Sequence, residues 1–142
     1  MRAFTMRNIL RALAATVLLP TAASAQPLDE LPLERGFYVR VDETCKTATN
    51  AGTALLRRAG LQWVTSHCIF DLIEQTGPTT YVVAQSCGDA AYHHKATATY
   101  EIPDRVSFSF VDGNGWEHAA RLCAQPDMPQ PWRGLDISDL ID

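Results

Sequence analysis

Along most of the chain hydrophobic and polar residues alternate with a period of two, the signature of half-buried strands. The clearest stretch runs from Tyr92 to Ile102. Tyr92, His94, Ala96, Ala98, Tyr100 and Ile102 fall on one face, with His93, Lys95, Thr97, Thr99 and Glu101 on the other. Pro103-Asp104 marks a turn, after which Val106, Phe108 and Phe110 share a face against Ser107 and Ser109. A turn centred on Asp104 sets Tyr100 opposite Phe108. Asp112-Gly113-Asn114-Gly115 carries hairpin turn chemistry, and a three-residue loop there puts Trp116, His118, Ala120 and Leu122 on the face of Phe108 and Phe110. Upstream, Thr76-Gly77-Pro78-Thr79 separates two further runs. Centring that turn between Gly77 and Pro78 sets Leu72 against Val83, Phe70 against Gln85 and Cys68 against Cys87; beyond the next turn Tyr81 meets Tyr100.

These hairpins agree on one apolar face. The pattern therefore predicts an antiparallel meander of five strands, over 67–75, 79–87, 92–102, 106–111 and 116–123. Residues 37–41 and 53–58 add one or two strands before it, although 53–58 reads equally well as a helical turn. A sheet of this size hides its apolar face by curling closed, so the expected class is all-β, a small meander closing into a barrel or sandwich.

The flanks break the alternation. Residues 1–25 have the form of a secretory leader: Arg2, Arg7 and Arg11, then an apolar run from Ala12 to Leu19, then Pro20 and the small-residue site Ala23-Ser24-Ala25. That run is well short of the roughly 20 residues a bilayer-spanning helix needs, and no transmembrane segment is expected after cleavage. Residues 26–35 are Pro-rich and acidic and read as an N-terminal arm rather than a strand. The β domain is expected over 36–123, followed over 124–142 by a Pro-rich tail ending in a short helical turn that puts Ile137, Leu140 and Ile141 on one side.

Charge and cysteines sharpen this picture. The 142 residues hold 12 Lys+Arg against 16 Asp+Glu, a net charge of -4. Residues 1–25 carry three of those arginines and no acid, so the chain from Gln26 onward stands at -7. An acidic chain of one domain's length lacks the basic surplus of a nucleic-acid binder and suits a basic protein partner. All four cysteines lie beyond the leader, which in an exported domain implies two disulfides. The strand register pairs Cys68 with Cys87 and leaves Cys45 for Cys123; Cys45–Cys68 with Cys87–Cys123 is the competing map.

No catalytic constellation emerges. His93 and His94 are neighbours on a strand and point to opposite faces, so they cannot chelate together. His94 and His118 share the inner face but are two strands apart, and both are expected to be hydrogen-bonded core histidines. Asp71 and Glu74 lie on opposite sides of one strand, and the serines lack a nucleophile motif. No metal, cofactor or catalytic residue is assigned. The remaining surface feature is an outward set, Ile69, Ile73 and Val82 beside Asp71, expected to be covered by the chain's own arm or tail or else to dock a partner. Trp132 and Arg133 have the composition of an interface anchor, or of an anchor pinning the tail.

The build resembles in outline the small exported lysozyme inhibitors, which are also disulfide-bonded β-barrels; none of their motifs is matched residue by residue, so no site is carried over. The expectation is a non-catalytic exported protein, periplasmic or secreted, that binds a basic partner such as a cationic cell-wall hydrolase. The candidate docking residues are Trp132, Arg133, Ile69, Asp71 and Ile73. Two alternatives compete: a small-ligand or metal carrier using a barrel interior lined by His94, Gln85 and Tyr100, and an envelope structural protein.

Overall fold

In the computed structural model, which describes residues 24–142, alternation and turn chemistry resolve into nine strands. They are β1 (Gln26–Leu28), β2 (Gly36–Arg40), β3 (Thr53–Arg57), β4 (Gly60–Gln62), β5 (His67–Gln75), β6 (Thr80–Gly88), β7 (His93–Asp104), β8 (Ser107–Asp112) and β9 (Glu117–Leu122). From β2 to β9 each strand pairs antiparallel with its successor, and β9 returns to β2, so eight strands form a closed up-and-down barrel. Closure removes the sheet edges that an open meander would leave exposed. The leader reading of residues 1–25 falls almost wholly outside the described residues. No helix among the described residues is long and apolar enough to cross a membrane.

The arm contains a strand after all. β1 lies antiparallel to the second half of β5, with Leu28 opposite Ile73, because β4 is too short to cover more than residues 67–69 of that strand. The rest of the arm then crosses the lower end of the barrel. Leu31 and Leu33 are buried in the lumen core, and Glu34 is tied to the β7–β8 turn by its N–H to the Arg105 carbonyl at 2.7 Å.

Two strand registers depart from simple alternation. Cys68 pairs with Cys87 and Phe70 with Gln85, but a bulge then places Leu72 beside Ala84 and Ile73 beside Val83. The extra residue, Asp71, turns Ile73 into the lumen and Leu72 out to solvent, the reverse of the unbroken pattern. A second bulge between Glu101 and Asp104 moves the partner of Tyr100 from Phe108 to Phe110. That shift is two residues, so both phenylalanines keep the inner face; Val106 instead sits in the turn, 40% exposed.

The chain builds two separate cores. The lumen is filled by Tyr38, Leu56, Leu61, Ile73, Val83, Tyr100, Phe108 and Phe110 with smaller neighbours. Outside the barrel, Phe37, Val39 and Leu55 project from the outer faces of β2 and β3 and are covered by Ala48, Met128 and Trp132. The covering pieces are the 41–52 loop and the tail. They are fastened by the Cys45–Cys123 disulfide, with Cα atoms 5.7 Å apart. The tail comprises isolated 3-10 turns at Gln125–Asp127 and Trp132–Gly134 and a last turn closed by the Ile141 N–H on the Ile137 carbonyl. Ile137 and Ile141 pack inward while Leu140 stays exposed.

Candidate functional site

The two ends of the barrel differ. The lower end is plugged by Leu31 and Leu33, whereas the upper end opens between the β4–β5, β6–β7 and β8–β9 turns. At this mouth a cavity of about 240 Å³ is bounded by Trp63, Trp116, Tyr92, His94, Gln85 and the Cys68–Cys87 disulfide, with Asp89 and Asp112 also on its wall.

Each side chain reaches the mouth for a local reason. Trp63 follows β4, where the turn is held by its own N–H on the Ser66 carbonyl at 2.8 Å. Trp116 closes the β8–β9 hairpin, which turns at Gly115 with φ +82°, and its N–H donates to Asp112 Oδ1 at 2.9 Å. The two indoles lean together across the opening, with centroids 6.1 Å apart. On the opposite wall Tyr92 and His94 stack at 5.5 Å. Between these walls the cross-strand disulfide, Cα atoms 4.0 Å apart, offers sulfur rather than a bulky side chain.

The floor is polar. Gln85 is 3% exposed and sits directly beneath the opening. Its Oε1 accepts the Tyr100 hydroxyl at a long 3.5 Å, and that phenol is itself pushed well above its ordinary pKa by burial. Beside this floor His118 lies under both tryptophans, with ring centroids 6.0 Å from Trp63 and 5.6 Å from Trp116. Its Nε2 is buried without a hydrogen-bond partner among the described residues. Burial first, and the Arg40 charge second, lower its pKa to about 4 against a weaker opposing pull from Asp42, so the ring is neutral at physiological pH. A wider, shallower depression next door shares Trp116 and is lined by His118 and the Arg40–Asp42 ion pair.

The rim carries fixed negative charge. Asp89 accepts the N–H groups of Ala91 at 2.7 Å and Tyr92 at 2.8 Å, which hold its carboxyl below the usual range. On the facing hairpin Asp112 accepts the N–H groups of Asn114 at 2.8 Å and Trp116 at 2.9 Å. In both, one carboxylate oxygen does the structural work.

The docking candidates do not assemble into one surface. Ile69 faces outward at 39% exposure, but Ile73 is in the lumen at 3%. Asp71 is engaged by Ser86 at 2.7 Å and Lys95 at 2.9 Å, which hold its carboxyl below the usual range. Trp132 is buried in the outer core far along the chain from that patch, and Arg133 beside it is exposed. The tail therefore covers β2 and β3, not the outer faces of β5 and β6. The carrier reading anticipated a cavity on His94, Gln85 and Tyr100: the first two line the mouth, and Tyr100 supports Gln85 from below. His94, expected in the core, is exposed at the rim because β7 projects past the packed lumen. His93 points outward over Gly88 toward His67, with ring centroids 6.0 Å apart. Among the described residues no three His, Cys, Asp or Glu side chains converge as a metal site.

Trp63 was the residue that alternation missed. It lies in the turn after β4, between the predicted segments 53–58 and 67–75, where no alternation marks it. Scans against protein-family models, curated proteins and solved structures found no match.

Proposed function

We propose that this chain is a non-catalytic binding protein of an oxidising, extracytoplasmic compartment, and that its barrel mouth holds a small, largely apolar group. One observation carries the reading: a lumen packed along its lower part stops short of the mouth, leaving a cavity of about 240 Å³ between aromatic walls above the buried Gln85. Apolar clefts with a few convergent polar groups are the usual form of small-ligand sites. Two disulfides suit such a compartment. Docking of a basic hydrolase through the Ile69–Asp71–Ile73 patch is less favoured, since burial of Ile73 and Trp132 removes its apolar anchors.

Titration with small apolar, non-fluorescent fragments such as cyclohexanol, followed by tryptophan emission and amide chemical shifts, tests this. Perturbations confined to Trp63, Trp116, Gln85 and His94 are expected. Ala96→Leu, which fills the cavity from β7, abolishes them. Absence of any perturbation at millimolar fragment, or perturbation spread elsewhere, overturns the reading.

A further inference from the structure

Resting on the mouth as a binding site, the charge and chemistry around it specify the ligand further. Its walls present indole and phenol faces from Trp63, Trp116 and Tyr92, whose π-systems attract cations and do not attract anions. Two carboxylates, Asp89 and Asp112, stand on facing hairpins of the same cavity, and each keeps one oxygen outside its turn's hydrogen bonds. Among the described residues no Lys or Arg lines this cavity; Arg40 belongs to the neighbouring depression, where Asp42 neutralises it. His67 and His94 are the other titratable groups on the wall beside Tyr92. Gln85, 3% exposed, also lines this cavity, with its Oε1 turned to the Tyr100 hydroxyl.

We infer that the barrel mouth selects a small organic cation with an apolar body, of the alkylated-ammonium class, seated against Trp63, Trp116 and Tyr92 with its charge toward Asp89 and Asp112. A metal ion is a poor fit, because among the described residues no three His, Cys, Asp or Glu side chains converge to replace its water shell. An alkylated ammonium has no such shell to lose, which is why aromatic cages suit it.

The test compares three probes of similar shape: benzyltrimethylammonium, its neutral isostere neopentylbenzene, and the anion phenylmethanesulfonate. Affinities come from tryptophan emission and amide shifts on the full chain with its disulfides intact. The cation is expected to bind about three- to tenfold tighter than the isostere, and the anion weakest. Asp89→Asn with Asp112→Asn keeps the acceptor oxygen that each turn needs, so the fold is retained. In that variant the cation preference falls by at least about half, the aromatic part remaining, while isostere binding is unchanged. If all three probes bind alike, or the anion leads, the cation inference is overturned and the mouth remains a binding site. If none binds and the mouth signals are unmoved, both readings fall together.

Discussion

Ile73 lies opposite Val83 on β5 and β6, one step out of phase with the Phe70–Gln85 pair three residues before it. The slip is absorbed at Asp71, whose carboxylate is held outside by Ser86 and Lys95. It decides which of two adjacent apolar residues supports the barrel. Ile73→Asp puts a charge into the lumen and is expected to cost at least about 3 kcal/mol, whereas Leu72→Asp, at an exposed position, costs within about 1 kcal/mol. Chemical denaturation of the two variants reads the difference; a larger loss from Leu72→Asp than from Ile73→Asp would restore the unbroken register.

The second prediction concerns Gly60, which ends the β3–β4 turn with φ +156°. A Cβ there would stand 1.9 Å from the Cys68 carbonyl oxygen, a backbone atom that cannot swing aside. Gly60→Ala is therefore expected to destabilise by about 2–4 kcal/mol and to weaken the β4–β5 pairing first. Amide exchange at Leu61 and Ile69 is the measurement.

His118 gives the stability a pH dependence. Its pKa is about 4 in the folded chain against the usual 6.5, so between those values the unfolded state takes up a proton that the folded state refuses. Stability attributable to this ring is accordingly present above about pH 6.5 and is lost as pH falls toward about 4. Allowing for partial solvation of the site, the loss is about 2 kcal/mol. His118→Phe, which keeps an aromatic ring against Trp63 and Phe110, is expected to lack that part of the slope in urea unfolding measured at about pH 7 and about pH 4.5.

The two disulfides are predicted to contribute unequally. Cys45–Cys123 spans a separation of 78 residues and Cys68–Cys87 only 19, so chain-entropy arguments assign about 4 and about 3 kcal/mol. Replacing Cys45 and Cys123 by Ser should also loosen the 41–52 loop and the tail, whereas replacing Cys68 and Cys87 should be felt at the mouth. Separate double variants, unfolded by denaturant and probed by amide exchange, distinguish these outcomes.

The outer core should fail before the lumen does. Trp132→Ala removes its largest side chain, at an expected cost of about 3 kcal/mol. Exchange protection should drop over 124–141 while β6, β7 and β8 stay protected. Simultaneous loss in both regions would show one cooperative core instead of two.

The meander was legible because its turns are written in residues with few other uses. Thr76-Gly77-Pro78 and Asp112-Gly113-Asn114-Gly115 mark their hairpins, and Cys68, Cys87, Tyr81 and Tyr100 fell into register from them. The bulge at Asp71 was not legible, because Leu72 and Ile73 are both apolar and either satisfies an alternating pattern. β1 and β4, at three residues each, are too short to show a period. The outer core escaped notice for a different reason: β2 and β3 are apolar on both faces, and only the folded tail shows that the side of Phe37, Val39 and Leu55 is covered. Of the mouth, Gln85 and His94 followed from register. Trp63 did not, since turns bring residues together without any periodicity to betray it.

The plug formed by Leu31 and Leu33 gives the barrel the topology of a flask rather than a pipe. On the proposed reading, a guest has one doorway, used for both arrival and departure, and nothing passes straight through to the other side.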